Sequence, residues 1–212
     1  NGTARVADIR PGGNGSRPTQ LTNVTGSLFF FANDGAGSAL WKSDGSAAGT
    51  ARVKDVRVSS FGDYLGPAIN LSGTLYFIGN DGANGYELWK SDGTTAGTVM
   101  VKNIDGLSST SSPANLCVVG STLFFSASDL TNGSELWKTD GTAAGTVLVT
   151  NINSGSSGSA PAKLTNVNGT LFFSADDGTT GAELWKSDGT EAGTIRVMDI
   201  FPGSGSSPYG SL

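Results

Sequence analysis

The side chains in this sequence that are best suited to chemistry recur at a fixed spacing. Tryptophan occurs every 48 residues, a glutamate lies two residues before three of the four tryptophans, and an aspartate precedes each one. Aromatic rings stack on sugars, and carboxylates accept hydrogen bonds from sugar hydroxyls. The sequence therefore predicts carbohydrate binding at repeated sites. The candidate ligand-binding residues are Trp41, Trp89, Trp137, Trp185, Glu87, Glu135, Glu183, Asp34, Asp81, Asp129 and Asp177.

The same carboxylates raise the alternative of a glycosidase, an enzyme that uses two acidic side chains as acid and nucleophile. Glu87 or Glu183 would pair with Asp81 or Asp177 across the ring. An active site needs unequal surroundings for its two carboxylates, whereas these occur alike in three or four units. The sequence also contains no histidine, the side chain most used as a general base near neutral pH. It therefore predicts no catalytic residue and no enzyme.

The aspartates also suggest a cation, since Ca²⁺ prefers clustered carboxylate and carbonyl oxygens. Most copies of the loop offer a single carboxylate, and aspartate before glycine is typical of a turn. The prediction is no metal and no cofactor, with Ca²⁺ as the open alternative. The single Cys117 aligns with Thr165 of the next unit, so it is interpreted as a substitution within a strand rather than a nucleophile.

Turn signals divide the last unit, residues 161–200, into four short strands, A to D. Asn168-Gly169 predicts a hairpin between strands A and B, and two further breaks, "DDGTTGA" and "DGTEAG", separate strands C and D. Strand B contains Leu171, Phe172 and Phe173 in succession, so both of its faces must be covered. Sheets stacked face to face meet this need. The predicted fold is all-β, a β-propeller-like array of four-stranded antiparallel blades.

The repeat sets the predicted domain organisation. Residues 1–212 form a single repeat domain with units at about 18–56, 67–104, 113–152 and 161–200, an extra strand at 3–9 and a partial unit start at 201–212. In strand D the apolar residues Ile195, Val197 and Ile200 change spacing, which predicts a bulge or a strong twist. An exposed terminal strand is a template for pairing, so the sequence also predicts a homo-oligomer formed through terminal strands.

The phrase "ELWKSDGT", residues 183–190, resembles the bacterial ELWxxDGT repeat family, and related phrases cover the whole chain. The first copy departs from the pattern, with Ala39 for Glu and Ser46 for Thr. The resemblance implies propeller-like repeats in large secreted or cell-surface proteins. The phrase also looks like the Asp-box hairpin of sialidase-type propellers. Its aspartates and glycines are predicted to build structural turns: Asp44, Gly45, Asp92, Gly93, Asp140, Gly141, Asp188 and Gly189.

Charge and hydropathy exclude two classes of partner. The net charge is -5 with 13 scattered Lys and Arg residues, so nucleic acid is not an expected partner. No apolar run is long enough for membrane insertion. The predicted function is a non-catalytic extracellular binding or adhesion module that binds glycans multivalently at sites between blades. The alternatives are a structural scaffold or self-assembling segment of a larger surface protein, and an Asp-box-type glycosidase.

Overall fold

The computed structural model describes residues 2–57, 68–107, 109–200 and 202–203, which contain sixteen β-strands. Blade 1 comprises β1 (Thr19–Val24), β2 (Ser27–Asn33), β3 (Ser38–Ser43) and β4 (Ala51–Lys54). Blade 2 comprises β5 (Ile69–Leu71), β6 (Thr74–Asn80), β7 (Tyr86–Ser91) and β8 (Val99–Lys102). Blade 3 comprises β9 (Ala114–Val119), β10 (Thr122–Asp129), β11 (Gly133–Thr139) and β12 (Val147–Thr150). Blade 4 comprises β13 (Ala162–Val167), β14 (Thr170–Asp176), β15 (Ala182–Ser187) and β16 (Ile195–Met198).

Each blade is one sheet of four antiparallel strands, hydrogen-bonded in chain order. This confirms the predicted all-β, propeller-like array of four-stranded blades. Contacts divide the chain into two compact units, residues 1–100 and 101–212. Among the residues described, no helix is long and apolar enough to cross a membrane.

The hairpin between strands A and B is built by two residues with positive φ. In blade 4, Asn168 and Gly169 have φ of 51° and 86°, and Val167 pairs with Thr170 across them. A two-residue turn of this kind matches the right-handed twist of the flanking strands. The side chain of Asn166 accepts a hydrogen bond from the Gly169 N–H at 2.9 Å. The Asn-Gly pair therefore predicted this hairpin correctly.

Strand D carries the predicted bulge. In blade 1, Leu40 pairs with Lys54 and Trp41 pairs with Arg52, so Val53 has no residue opposite it. The same shift occurs between β15 and β16. An extra residue on one strand increases the local twist and turns the next side chain to the other face. This shift explains the changed spacing of apolar residues in strand D.

Strand B is an inner strand of each blade, and in blades 1, 2 and 3 it is covered on both faces. In β6, the five residues from Leu75 to Gly79 are all buried. Within the first unit the ring of Phe31 lies 5.2 Å from that of Phe77 in the next blade. Contacts of this kind join consecutive blades, because an apolar sheet face is stable only when another surface excludes water from it.

The structure tests one of the two terminal predictions. Residues 3–9, predicted as an extra strand, form no strand, and none of the described strands pairs with them. A strand is defined by hydrogen bonds to a neighbour, which this segment does not have. The predicted partial unit at 201–212 falls outside the described residues, apart from residues 202 and 203.

The close approach of blades 1 and 2 can be tested with two equivalent glycines. Gly45 and Gly93 have φ of 93° and 86°, so alanine is strained in both positions. A Cβ at Gly93 would lie 2.9 Å from the Phe29 ring, whereas at Gly45 no described atom lies within 4 Å. We expect Gly93→Ala to lower the free energy of unfolding by about 1–3 kcal/mol more than Gly45→Ala, as overpacking does. Urea unfolding followed by tryptophan fluorescence measures the difference, and equal losses would contradict the contact.

Candidate functional site

The predicted ligand-binding tryptophans are not equally accessible. Trp89 and Trp137 are only 5% and 6% exposed, while Trp41 and Trp185 are half-buried. The Trp89 ring stacks on Phe77 with a centroid distance of 6.4 Å, and the Lys54 ammonium lies 5.7 Å from it. These neighbours occupy the surfaces that a sugar would need. The structure therefore corrects the assignment of Trp89 and Trp137 from ligand platforms to core residues.

The ring nitrogens have different partners in different blades. Trp185 donates a hydrogen bond to the Ala175 carbonyl at 3.0 Å. Within the described part of the chain, no acceptor reaches the buried ring N–H of Trp41, Trp89 or Trp137. Leaving a buried donor unpaired costs about 1–3 kcal/mol. At Trp89, whose ring packs on Phe77 in a cluster shared by blades 1 and 2, burial of the ring offsets this cost.

The three glutamates are buried, and two of them, Glu135 and Glu183, accept hydrogen bonds from the backbone. Glu87, Glu135 and Glu183 are at most 3% exposed. The carboxylate of Glu135 accepts hydrogen bonds from the N–H groups of Ile152, Asn153 and Ser159 at 3.0–3.2 Å and from the Ser159 hydroxyl. These donors belong to the linker after strand D.

Burial raises the pKa of Glu135, and the hydrogen bonds from Ser159 and from the backbone oppose that rise. Glu183 repeats part of this arrangement by accepting the Ile200 N–H at 3.0 Å. A carboxyl group that is enclosed by backbone donors cannot reach a sugar. The structure therefore corrects Glu135 and Glu183 from candidate ligand contacts to residues that fix the linker, and it places Glu87 in the buried interior.

The aspartates after strand B form turns within their own loops. In blade 2, Asp81 accepts the N–H groups of Ala83 and Asn84 at 2.9 Å, and its second oxygen accepts the Asn84 side-chain amide at 2.7 Å. Asp129 makes the same contacts with Thr131 and Asn132. Each of these carboxylates has both oxygens engaged inside the loop.

In blades 1 and 4, an arginine of strand D pairs with the second carboxylate oxygen of the loop aspartate. Arg52 lies 3.1 Å from Asp34, and Arg196 lies 3.4 Å from Asp177, from equivalent positions in strand D. Blades 2 and 3 have Met100 and Leu148 at this place and use the loop asparagine instead. Two different residues therefore meet the same local need, which favours a structural role for these aspartates. In the sequence, only the spacing of the two arginines could have identified them as partners of the loop aspartates.

The hydrogen bonds of the loop keep these carboxylates ionised. Partial burial acts to raise the pKa of Asp177, but hydrogen bonds from the hydroxyls and N–H groups of Thr179 and Thr180 outweigh it and lower the pKa to about 2. The pKa values of Asp81 and Asp129 are lowered against burial by the same kind of bonds. A low pKa suits a turn that depends on its charged acceptor, and it does not suit a general acid.

The Asp-Gly turns between strands C and D are closed networks. Asp188 accepts the Thr190 N–H at 2.8 Å and its hydroxyl at 2.7 Å, and the Thr190 hydroxyl in turn accepts the Gly193 N–H at 2.9 Å. Ser187 joins the Thr194 hydroxyl at 2.7 Å across the base of the turn. The equivalent bonds occur in all four blades. The hydrogen bonds from Thr190 lower the pKa of Asp188.

The last glycine of the repeated phrase is a structural requirement that we did not predict from the sequence. A Cβ at Gly193 would lie 2.1 Å from the Asp188 carboxylate, and Gly49, Gly97 and Gly145 are equally close to their aspartates. Any side chain at these positions would displace the acceptor on which the turn is built. The recurrence of this glycine every 48 residues was the available signal.

The described acidic side chains do not cluster, and the single thiol is buried. Among the described residues there is no group of three or more His, Cys, Asp or Glu side chains placed to hold an ion. Cys117 is buried in the core of blade 3, and this burial raises the pKa of its thiol. A thiol held in its neutral form is a poor nucleophile.

Comparisons with known proteins bear on the fold. No family model and no curated protein matches the chain. Among solved structures it is similar to two of puromycin hydrolase, with TM-scores of 0.52 and 0.53 and identities of 14% and 13% over 85% and 90% of this chain. A prolyl endopeptidase structure gives a TM-score of 0.51 and 14% identity over 83% of this chain. The chain spans only 25% to 29% of these three structures. At such identity the likeness shows the β-propeller fold alone.

Glu135 provides a direct test of the structural role of the glutamates. We expect Glu135→Gln to lower the free energy of unfolding by about 1–3 kcal/mol, because its amide group would face backbone donors that the carboxylate now satisfies. Glu191→Gln makes the same change on an exposed turn and is the control, with an expected effect below about 0.5 kcal/mol. Both are measured by urea unfolding. A neutral effect of Glu135→Gln would show that the carboxylate does not hold the linker.

Asp177 provides a pH test. Its pKa is lowered from 3.8 to about 2 in the folded state, so its contribution to stability is present above 3.8 and is lost as the pH falls toward 2. We expect wild type to lose its advantage over Asp177→Asn across this interval in pH-dependent unfolding. Arg196→Met should keep the acid dependence, because the threonine bonds remain. If Arg196→Met removed the acid dependence of stability, the ion pair between Arg196 and Asp177 would be its cause.

Proposed function

We propose that the chain is a non-catalytic repeat scaffold, a rigid segment of a larger secreted or cell-surface protein. The observation that carries the proposal is the use of the repeated polar groups. Glu135 and Glu183 hold linkers, the loop aspartates close their own turns, and the Asp-Gly turns bond within themselves. Residues that recur because each unit must solve the same folding problem need no ligand to explain them.

A catalytic function would need a different arrangement. A glycosidase requires two carboxyl groups that flank a bond in an accessible cleft. Glu183 is 3% exposed, and Asp177 accepts hydrogen bonds from its own loop, so the two carboxyl groups do not form an accessible pair. The placement in a secreted or surface protein rests on the resemblance of the repeated phrase to the ELWxxDGT family, and it belongs to the proposal.

Three measurements on the full chain test the scaffold proposal. We expect no saturable binding on a glycan array with or without Ca²⁺, and no hydrolysis of aryl glycosides. We also expect slow thermolysin cleavage that Glu135→Gln accelerates and Glu191→Gln does not, since cleavage follows the population of the open form. Glycan binding that Asp177→Asn abolishes in a still-folded chain would overturn the proposal in favour of carbohydrate binding at the loops.

A further inference from the structure

Blade 4 exposes apolar side chains that the other blades bury. Val197 of β16 is 45% exposed, whereas its equivalents Val53, Val101 and Val149 are 5–7% exposed. Met198 and Ile200 are 64% and 54% exposed, while Val56, the equivalent of Ile200, is 1% exposed. We name this surface, formed by Phe172, Val197 and Met198, the trailing face of blade 4. Three neighbouring large apolar side chains in contact with water indicate a surface that is adapted to be covered.

The equivalent face of blade 1 shows what covers such a surface. Within the first unit, Lys54 donates to the Thr98 carbonyl at 2.6 Å, and the Thr95 hydroxyl donates to the Val53 carbonyl at 2.7 Å. In the second unit, Lys138 of blade 3 donates to the Gly189 carbonyl of blade 4 at 2.7 Å. A trailing face is thus covered by the Asp-Gly turn and strand D start of the following blade.

Blade 1 carries the matching surface on its opposite face. A groove of about 570 Å³ is lined by Leu21, Leu28, Phe30, Gly45 and Thr50. Gly45 is exposed and Thr50 half-buried, whereas their equivalents Gly93 and Thr98 are buried beneath blade 1. Leu21 is 61% exposed. We name this surface the leading groove of blade 1.

The N-terminal segment occupies part of this groove. Arg5, Val6, Ala7 and Ile9 line it together with the blade residues. Residues 3–9 read TARVADI and residues 194–200 read TIRVMDI, so five of seven positions are identical. The two segments also form the same ion pair, between Arg5 and Asp8 at 3.1 Å and between Arg196 and Asp199 at 3.9 Å. The N-terminal segment therefore lies where an outer strand D would lie, although it has no strand C to pair with.

We propose that the trailing face of blade 4 docks into the leading groove of blade 1 in a second copy of this chain, where it displaces residues 3–9. The contact is continuous with the interface that already joins blade 1 to blade 2 and blade 3 to blade 4. The N-terminal segment acts as a competing self-ligand, so the apparent affinity is reduced to the extent that it fills the groove. Met198 stands where Lys54 donates its hydrogen bond, which makes this contact weaker than the internal ones. The inference is independent of the scaffold proposal, because it rests on the two open faces.

Val6 and Val197 occupy equivalent positions in the two segments. Replacing each of them by aspartate should change self-association in opposite directions. Val197→Asp places a charge in the docking face, and we expect a monomer at all concentrations. Val6→Asp loosens the competing segment, and we expect self-association about tenfold tighter than in wild type. The double variant should be monomeric. Sedimentation velocity over a wide concentration range measures all four chains. Leu130→Asp, at a loop residue 65% exposed and outside both faces, is the control and should match wild type.

A cross-link identifies the surfaces that meet. Ala47 is equivalent to Thr95, which contacts strand D of the preceding blade, so Ala47 of one copy should lie beside Met198 of the other. In a Cys117→Thr background, chains with Met198→Cys mixed with chains with Ala47→Cys should form a mixed disulfide under mild oxidation. Each chain alone should not.

Two results would overturn the proposal. One is self-association that Val197→Asp leaves unchanged, because another surface would then be responsible. The other is a monomer for both wild type and Val6→Asp at every concentration, because the occupant of the trailing face would then be a blade from a longer polypeptide and not a second copy. Far-UV circular dichroism and urea unfolding establish that each variant is folded before its mass is interpreted.

Discussion

Each blade contains a central strand that is apolar on both faces, and the rest of the structure depends on covering it twice. Leu75 to Gly79 of β6 illustrate the constraint, since five consecutive residues are buried in a sheet only four strands wide. No isolated sheet can meet this demand, because each of its faces would be left to water. Stacking of similar sheets covers both faces of the central strand, and the same contact is used from blade to blade. The period of 48 residues is therefore a consequence of packing.

The polar groups of the repeat fix the linkers that connect one blade to the next. A short linker must return the chain from strand D to the next strand A, and its backbone groups need partners. An N–H group at or next to the end of strand B bonds to this linker in every blade, from Asn33 to Ser16, Asn80 to Arg57, Ser128 to Ser111 and Asp176 to Ser159. The linkers differ in sequence because these bonds use the backbone. Glu135 adds side-chain bonds to the same linker.

Local features of the fold could be predicted from the sequence, and features that depend on distant partners could not. The hairpin at Asn168-Gly169 and the bulge opposite Leu184 and Trp185 are determined within a few residues by positive φ and by the spacing of apolar side chains. The role of Glu135 depends on donors 17 to 24 residues away, in a linker whose path the sequence does not specify. Residues 3–9 have the sequence of a strand, but their conformation depends on a partner that the described sheets do not supply.

The first blade separates the requirements of packing from those of chemistry. It has Ala39 where the other blades have glutamate, yet it keeps the tryptophan, the Asp-Gly turn and the loop aspartate. Ala39 is fully buried, so the position is part of the core even when it carries no charge. The linker that follows is tied to Asn80 by two backbone bonds at Arg57, of 3.0 and 2.8 Å. A site for a ligand would need its acid in every copy, whereas a linker needs only enough bonds to fix it. The glutamate is absent from a blade that is nonetheless complete, which argues that its function is to hold the chain.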